Sequence, residues 1–76
     1  MTIAGHQEVE NCFMKQTDEL GQPRIFRLED YIGSDFATAR AALADIGYRK
    51  KPSGYLTAER FVKETKGMTF EIFIEA

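Results

Sequence analysis

Residues 68–76, Met-Thr-Phe-Glu-Ile-Phe-Ile-Glu-Ala, send Phe70, Ile72 and Ile74 to one side of an extended chain and Glu71, Phe73 and Glu75 to the other. Side chains of a β-strand alternate between two faces, so this pattern specifies a strand with one face in a core and one toward water. Lys66-Gly67 just before it reads as a two-residue turn. A hairpin closed there sets Thr65 opposite Met68, Lys63 opposite Phe70, Phe61 opposite Ile72 and Arg60 opposite Phe73. A short helix through Thr57 to Glu64 is the rival, because that window also has fair helical propensity. The strand is preferred, since it gives Phe61 and Ile72 a common buried face.

Ser34 to Ile46 has the marks of a helix. Ser34 or Asp35 can cap its first turn, Gly47 supplies the left-handed residue that commonly ends one, and Phe36, Ala39, Leu43 and Ile46 recur at helical spacing. The alanines at 37, 39, 41, 42 and 44 add propensity and a slim profile, so the helix can lie close to a sheet. Upstream, Val9 to Gln16 and Ile25 to Tyr31 have strand length and are separated by Asp, Gly and Pro, which suggests a hairpin. Phe26 and Leu28 would share one face of the second strand. The first alternates less cleanly, because Cys12, Phe13 and Met14 are consecutive and apolar.

The order strand, strand, helix, strand, strand predicts a single small α+β domain over residues 1–76, with one helix packed on a mainly antiparallel sheet of three or four strands. Residues 1–7 are expected to be mobile and 50–54 to form a loop. The predicted core is Phe26, Leu28, Leu43, Ile46, Phe61, Phe70, Ile72 and Ile74. In a chain of 76 residues that core must be well packed, because small domains have much surface for little interior.

Several chemistries find no support. Cys12 is the single cysteine, so no intramolecular disulfide can form, and His6 is the single histidine, so a zinc site or a histidine-based nucleophilic triad lacks its parts. Cys12 has no cation or helix start beside it in sequence to activate it, and reads as an inert core residue. No phosphate-binding glycine loop is present. The acidic pairs Asp18-Glu19 and Glu29-Asp30 read as a solvated turn and a polar strand edge. No enzymatic activity, cofactor or metal is expected. No apolar run approaches the roughly 20 residues that span a bilayer, and Met1 to Gly5 lack the order of a signal peptide, so a cytoplasmic protein is the expectation.

Charge is unevenly placed. Between Arg49 and Lys66 stand six basic residues and two acidic ones, inside a molecule of net charge −2. Such a patch can steer an acidic partner. Basic residues interleaved with aromatics over Tyr48 to Tyr55 can neutralise phosphates while tyrosines stack on bases, or can rim a protein interface. The candidate binding residues are Arg49, Lys50, Lys51, Tyr55, Arg60, Lys63 and Phe73. In size and lack of motifs the chain resembles small accessory proteins of phages and mobile elements, among them inhibitors of host defence such as anti-CRISPR proteins. That resemblance is one of type and implies a non-catalytic module that docks on a larger protein. A small nucleic-acid-binding domain using residues 49–66 is the alternative, opposed by the acidic amino-terminal half. A small enzyme or enzyme subunit is the third reading, weakest for want of catalytic groups, and a homodimer through the free edge of a hairpin is compatible with all three.

Overall fold

The computed structural model describes residues 7–76. It contains β1 (Asn11–Thr17), β2 (Pro23–Arg27), α1 (Phe36–Asp45), β3 (Arg49–Lys51), β4 (Ala58–Thr65) and β5 (Met68–Glu75). The five strands form one antiparallel sheet in the order β2-β1-β5-β4-β3. The chain lays down one hairpin, passes along the helix to the far edge, and returns through β4 to place β5 in the centre. The α+β class and the antiparallel sheet with one helix are as the sequence indicates. The expected mobility of residues 1–7 concerns, apart from Gln7, residues outside those described, as does His6.

The β4–β5 hairpin closes through Lys66 (φ 50°) and Gly67 (φ 78°), the two left-handed residues that a type I′ turn requires. Its register pairs Phe61 with Ile72 and Arg60 with Phe73, and Ala58–Thr65 is strand β4, so the helical rival is excluded. At the other hairpin, Asp18 Oδ1 accepts from the N–H groups of Leu20 and Gln22, both at 2.9 Å, folding the turn onto itself.

Helix α1 begins where Asp35 Oδ1 accepts from the Thr38 N–H at 2.7 Å. It ends in a Schellman motif, with Gly47 N–H donating to Ala44 O at 3.1 Å and Tyr48 N–H to Leu43 O at 3.0 Å. Lys63 from β4 donates to Ile46 O at 2.8 Å, placing a cation at the negative end of the helix dipole. The residues preceding β1 are laced to those preceding the helix: Val9 N–H donates to Ser34 O, Gly33 N–H to Val9 O, and Phe36 N–H to Gln7 O.

One sheet face packs on the helix. Phe36, Ala39 and Leu43 from α1 meet Cys12, Phe61, Ile72 and Ile74 from the strands, with Val9 beside them, while Met14, Leu28, Tyr31, Ile32 and Tyr48 pack around this cluster. Two predicted core residues are corrected. Phe26 is 41% exposed and Ile46 51% exposed. A helix about 10 Å across shields only two or three strands spaced about 4.8 Å apart, so Phe26 on the outermost strand is covered only in part. Ile46 is the C-cap residue and has already left the helical path. Phe70 and Leu28 are half-buried, whereas Phe36 and Ala39 of the helical stripe, Cys12 as read from the sequence, and Val9, which no sequence pattern assigned, are buried beside the predicted core.

The predicted loop is also corrected in part: Arg49–Lys51 is a fifth strand, paired with Arg60–Val62. Three consecutive cations show no alternation of polarity. Their strand character comes from backbone pairing alone. No helix among the described residues is long and apolar enough to cross a membrane.

Candidate binding face

Directly opposed residues of neighbouring strands share a face, so the registers define the side of the sheet turned away from the helix. One row across it runs Arg27, Phe13, Phe73, Arg60, Lys51. The next runs Ile25, Lys15, Glu71, Val62, Arg49. No described helix packs here. Two aromatic rings on the central strands β1 and β5 therefore stand opposite each other on the open side.

Phe13 and Phe73 line a shallow groove of about 280 Å³, together with Lys15, Ile25, Tyr55, Ala58 and Glu75. Ile25 is 70% exposed and Tyr55 69% exposed, so apolar surface lies open along the groove. The segment carrying Tyr55 is held by Ser53, whose hydroxyl donates to Ala58 O at 2.7 Å and accepts from the Tyr55 N–H at 3.0 Å. That loop forms one wall.

The structure separates the seven candidate residues into two groups. Arg49, Lys51, Tyr55, Arg60 and Phe73 belong to the open face or its rim. Lys50 and Lys63 fall on the helix side. Lys50 Nζ lies 3.5 Å from Glu59 Oε1, and Lys63, besides its bond to Ile46 O, stands 5.8 Å from the Tyr48 ring centroid. Arg60 is opposite Phe73, but its Nε donates to Glu71 Oε2 at 2.8 Å and its Nη1 to Pro52 O at 3.3 Å. Sequence reading missed Phe13, Lys15, Ile25 and Arg27 as residues of this face. The one signal was the unbroken Cys12-Phe13-Met14 run, which gives β1 apolar side chains on both faces.

The electrostatics bear on the packing more than on any reaction. Burial, aided by the nearby Asp30 charge, pushes the Cys12 thiol up to about 11, so it stays protonated. Burial also raises Tyr31, with smaller contributions from Cys12 and Asp30, and raises Tyr48. Burial acts to raise Glu59, yet the Arg40 hydrogen bonds and charge, with Lys50, hold it below the usual carboxylate range. No group of three His, Cys, Asp or Glu residues among those described could hold a metal ion. Comparison with protein-family models, with curated proteins and with solved structures finds no match to this chain.

Proposed function

We propose that this is a non-catalytic interaction module that docks its open sheet face onto a larger protein in the cytoplasm, acting as an accessory or inhibitory subunit. The observation that carries this reading is the opposed pair Phe13 and Phe73 on a face that no described helix covers, extended by exposed Ile25 and Tyr55 into one apolar groove. Aromatic side chains with a polar rim are the composition of an interface centre. Arg27, Lys15, Arg49 and Lys51 give the rim a basic character suited to an acidic partner surface.

The row Arg27, Phe13, Phe73, Arg60, Lys51 also favours a second reading, a stacking platform for single-stranded nucleic acid. Two features weigh against it. Glu71 and Glu75 flank Phe73 on the same face, where they would repel the phosphates of a base stacked there, and Arg60 is already engaged by Glu71. The protein reading is therefore preferred.

Affinity capture from the source cells after nuclease treatment, using the wild type and Phe73→Ala in parallel, tests both. The expected result is a protein retained by the wild type and lost with the variant, while a labelled single-stranded oligonucleotide fails to bind near physiological salt. Equal retention by both would remove the groove from the site. Saturable oligonucleotide binding abolished by Phe73→Ala would instead assign the face to nucleic acid.

A further inference from the structure

We propose that β2 is a self-pairing edge: two copies of the chain join β2 to β2, antiparallel, about a two-fold axis at Ile25, to make one ten-stranded sheet. The two edges of the sheet are unlike. β3 is only three residues long and wholly basic, Arg49-Lys50-Lys51, the kind of short charged strand that resists further pairing. β2 has five residues, no lysine, and exposed Ile25 and Phe26, and its Arg27 lies 3.6 Å from Glu29 of the same chain.

Which backbone groups β2 offers follows from the ladder. Leu28 N–H donates to Cys12 O at 2.9 Å and Asp18 N–H to Gln22 O at 3.2 Å, and hydrogen-bonded pairs alternate along an antiparallel ladder. Hence Arg24, Phe26 and Leu28 turn their N–H and C=O groups toward β1. Ile25 and Arg27 turn theirs outward, and Pro23, which has no N–H, presents only a carbonyl.

This edge is complementary to itself. With Ile25 opposite Ile25 of the second copy, those two residues exchange both hydrogen bonds, and each Arg27 N–H meets the Pro23 carbonyl of the other chain. Every outward donor then has an acceptor, and the missing proline donor leaves only the Arg27 carbonyl to water. On the open face the two Ile25 side chains come together and join the two grooves. On the helix face each Phe26 lies opposite Arg24 of the other copy, a ring against a guanidinium. Five residues a side make a small interface, so the association is weak and concentration-dependent.

Sedimentation from micromolar to millimolar concentration, with amide exchange followed by NMR, tests the pairing. The expected result is a rise toward twice the chain mass, accompanied by protection of the Ile25 and Arg27 amides, which face away from β1. Ile25→Pro removes the central donor, and Ile25→Lys keeps the backbone but sets like charges directly opposite. Both should remain single chains. Phe73→Ala, away from the edge, should still pair, which keeps this question separate from partner docking. A single-chain mass throughout, a doubled mass with freely exchanging Ile25 and Arg27 amides, or pairing that survives Ile25→Lys would each overturn the proposal.

Discussion

Arg40 on the helix meets Glu59 on the sheet through two hydrogen bonds, Nε to Oε1 at 2.7 Å and Nη2 to Oε2 at 3.1 Å. Lys50 approaches the same carboxylate at 3.5 Å, so one acid joins α1 to both β4 and β3. Because the folded state holds the Glu59 carboxyl below its ordinary value, its ionised form stabilises the fold above that value. The contribution is lost as pH falls through the lower folded value.

Glu59→Gln should therefore cost about 0.5–1 kcal/mol at neutral pH, the size of a partly exposed ion pair, and the difference from wild type should shrink in acid and vanish once pH has fallen past the lowered folded value of Glu59. Urea unfolding of both proteins across that range measures it. A difference that persists unchanged in acid would mean that the glutamine perturbs packing rather than charge.

Leu43→Ala and Ile72→Ala each empty a site in the helix–sheet core and should cost on the order of 2–5 kcal/mol. Phe26→Ala, on the partly covered edge strand, should cost less, roughly 1–2 kcal/mol in the single chain. Denaturant midpoints at low protein concentration separate the two classes. Equal losses at Phe26 and Leu43 would place the edge strand inside the core after all.

Cys12 should react with thiol reagents only when the domain opens, because it is buried and its thiol is held protonated. Labelling should be slow in the native protein and should accelerate with urea in step with unfolding. Immediate full labelling under native conditions would contradict the enclosed position of β1.

Lys50 and Lys51 are sequence neighbours with opposite assignments. Lys51→Glu changes the rim of the open face and should weaken partner capture while leaving the melting temperature nearly unchanged. Lys50→Gln removes a cation from Glu59 and should lower the melting temperature slightly while leaving capture intact. Thermal melts alongside capture assays distinguish the two, and a reversed pattern would move the docking surface to the helix side.

The limits of sequence reading follow from which forces act locally. Asp35 and Gly47 bound the helix by short-range hydrogen bonding and backbone conformation, and Lys66-Gly67 fixes the last hairpin and with it the meeting of Phe61 and Ile72. These were legible because each signal lies within a few residues of its effect. The pairing of Phe13 with Phe73 joins two strands far apart in the chain, and no local pattern encodes it. Phe26 illustrates the same point. Its alternation with Arg27 is that of a buried strand, but whether a helix covers it depends on the place of β2 in the sheet. Arg49–Lys51 has no apolar signal at all, and only β4 makes it a strand.

β5 stands between β1 and β4, although it is the last of the five strands in chain order. During synthesis β1 and β2 can form their hairpin early, but the partner that covers β1's other side, and supplies Ile72 and Ile74, comes only after α1, β3 and β4. β1 thus keeps an open apolar edge until β5 has been made, and these two strands must find each other across the intervening hairpin, helix and strands. Local hairpins give this domain a quick beginning, while closure of its centre sets the pace and the period of exposure to aggregation.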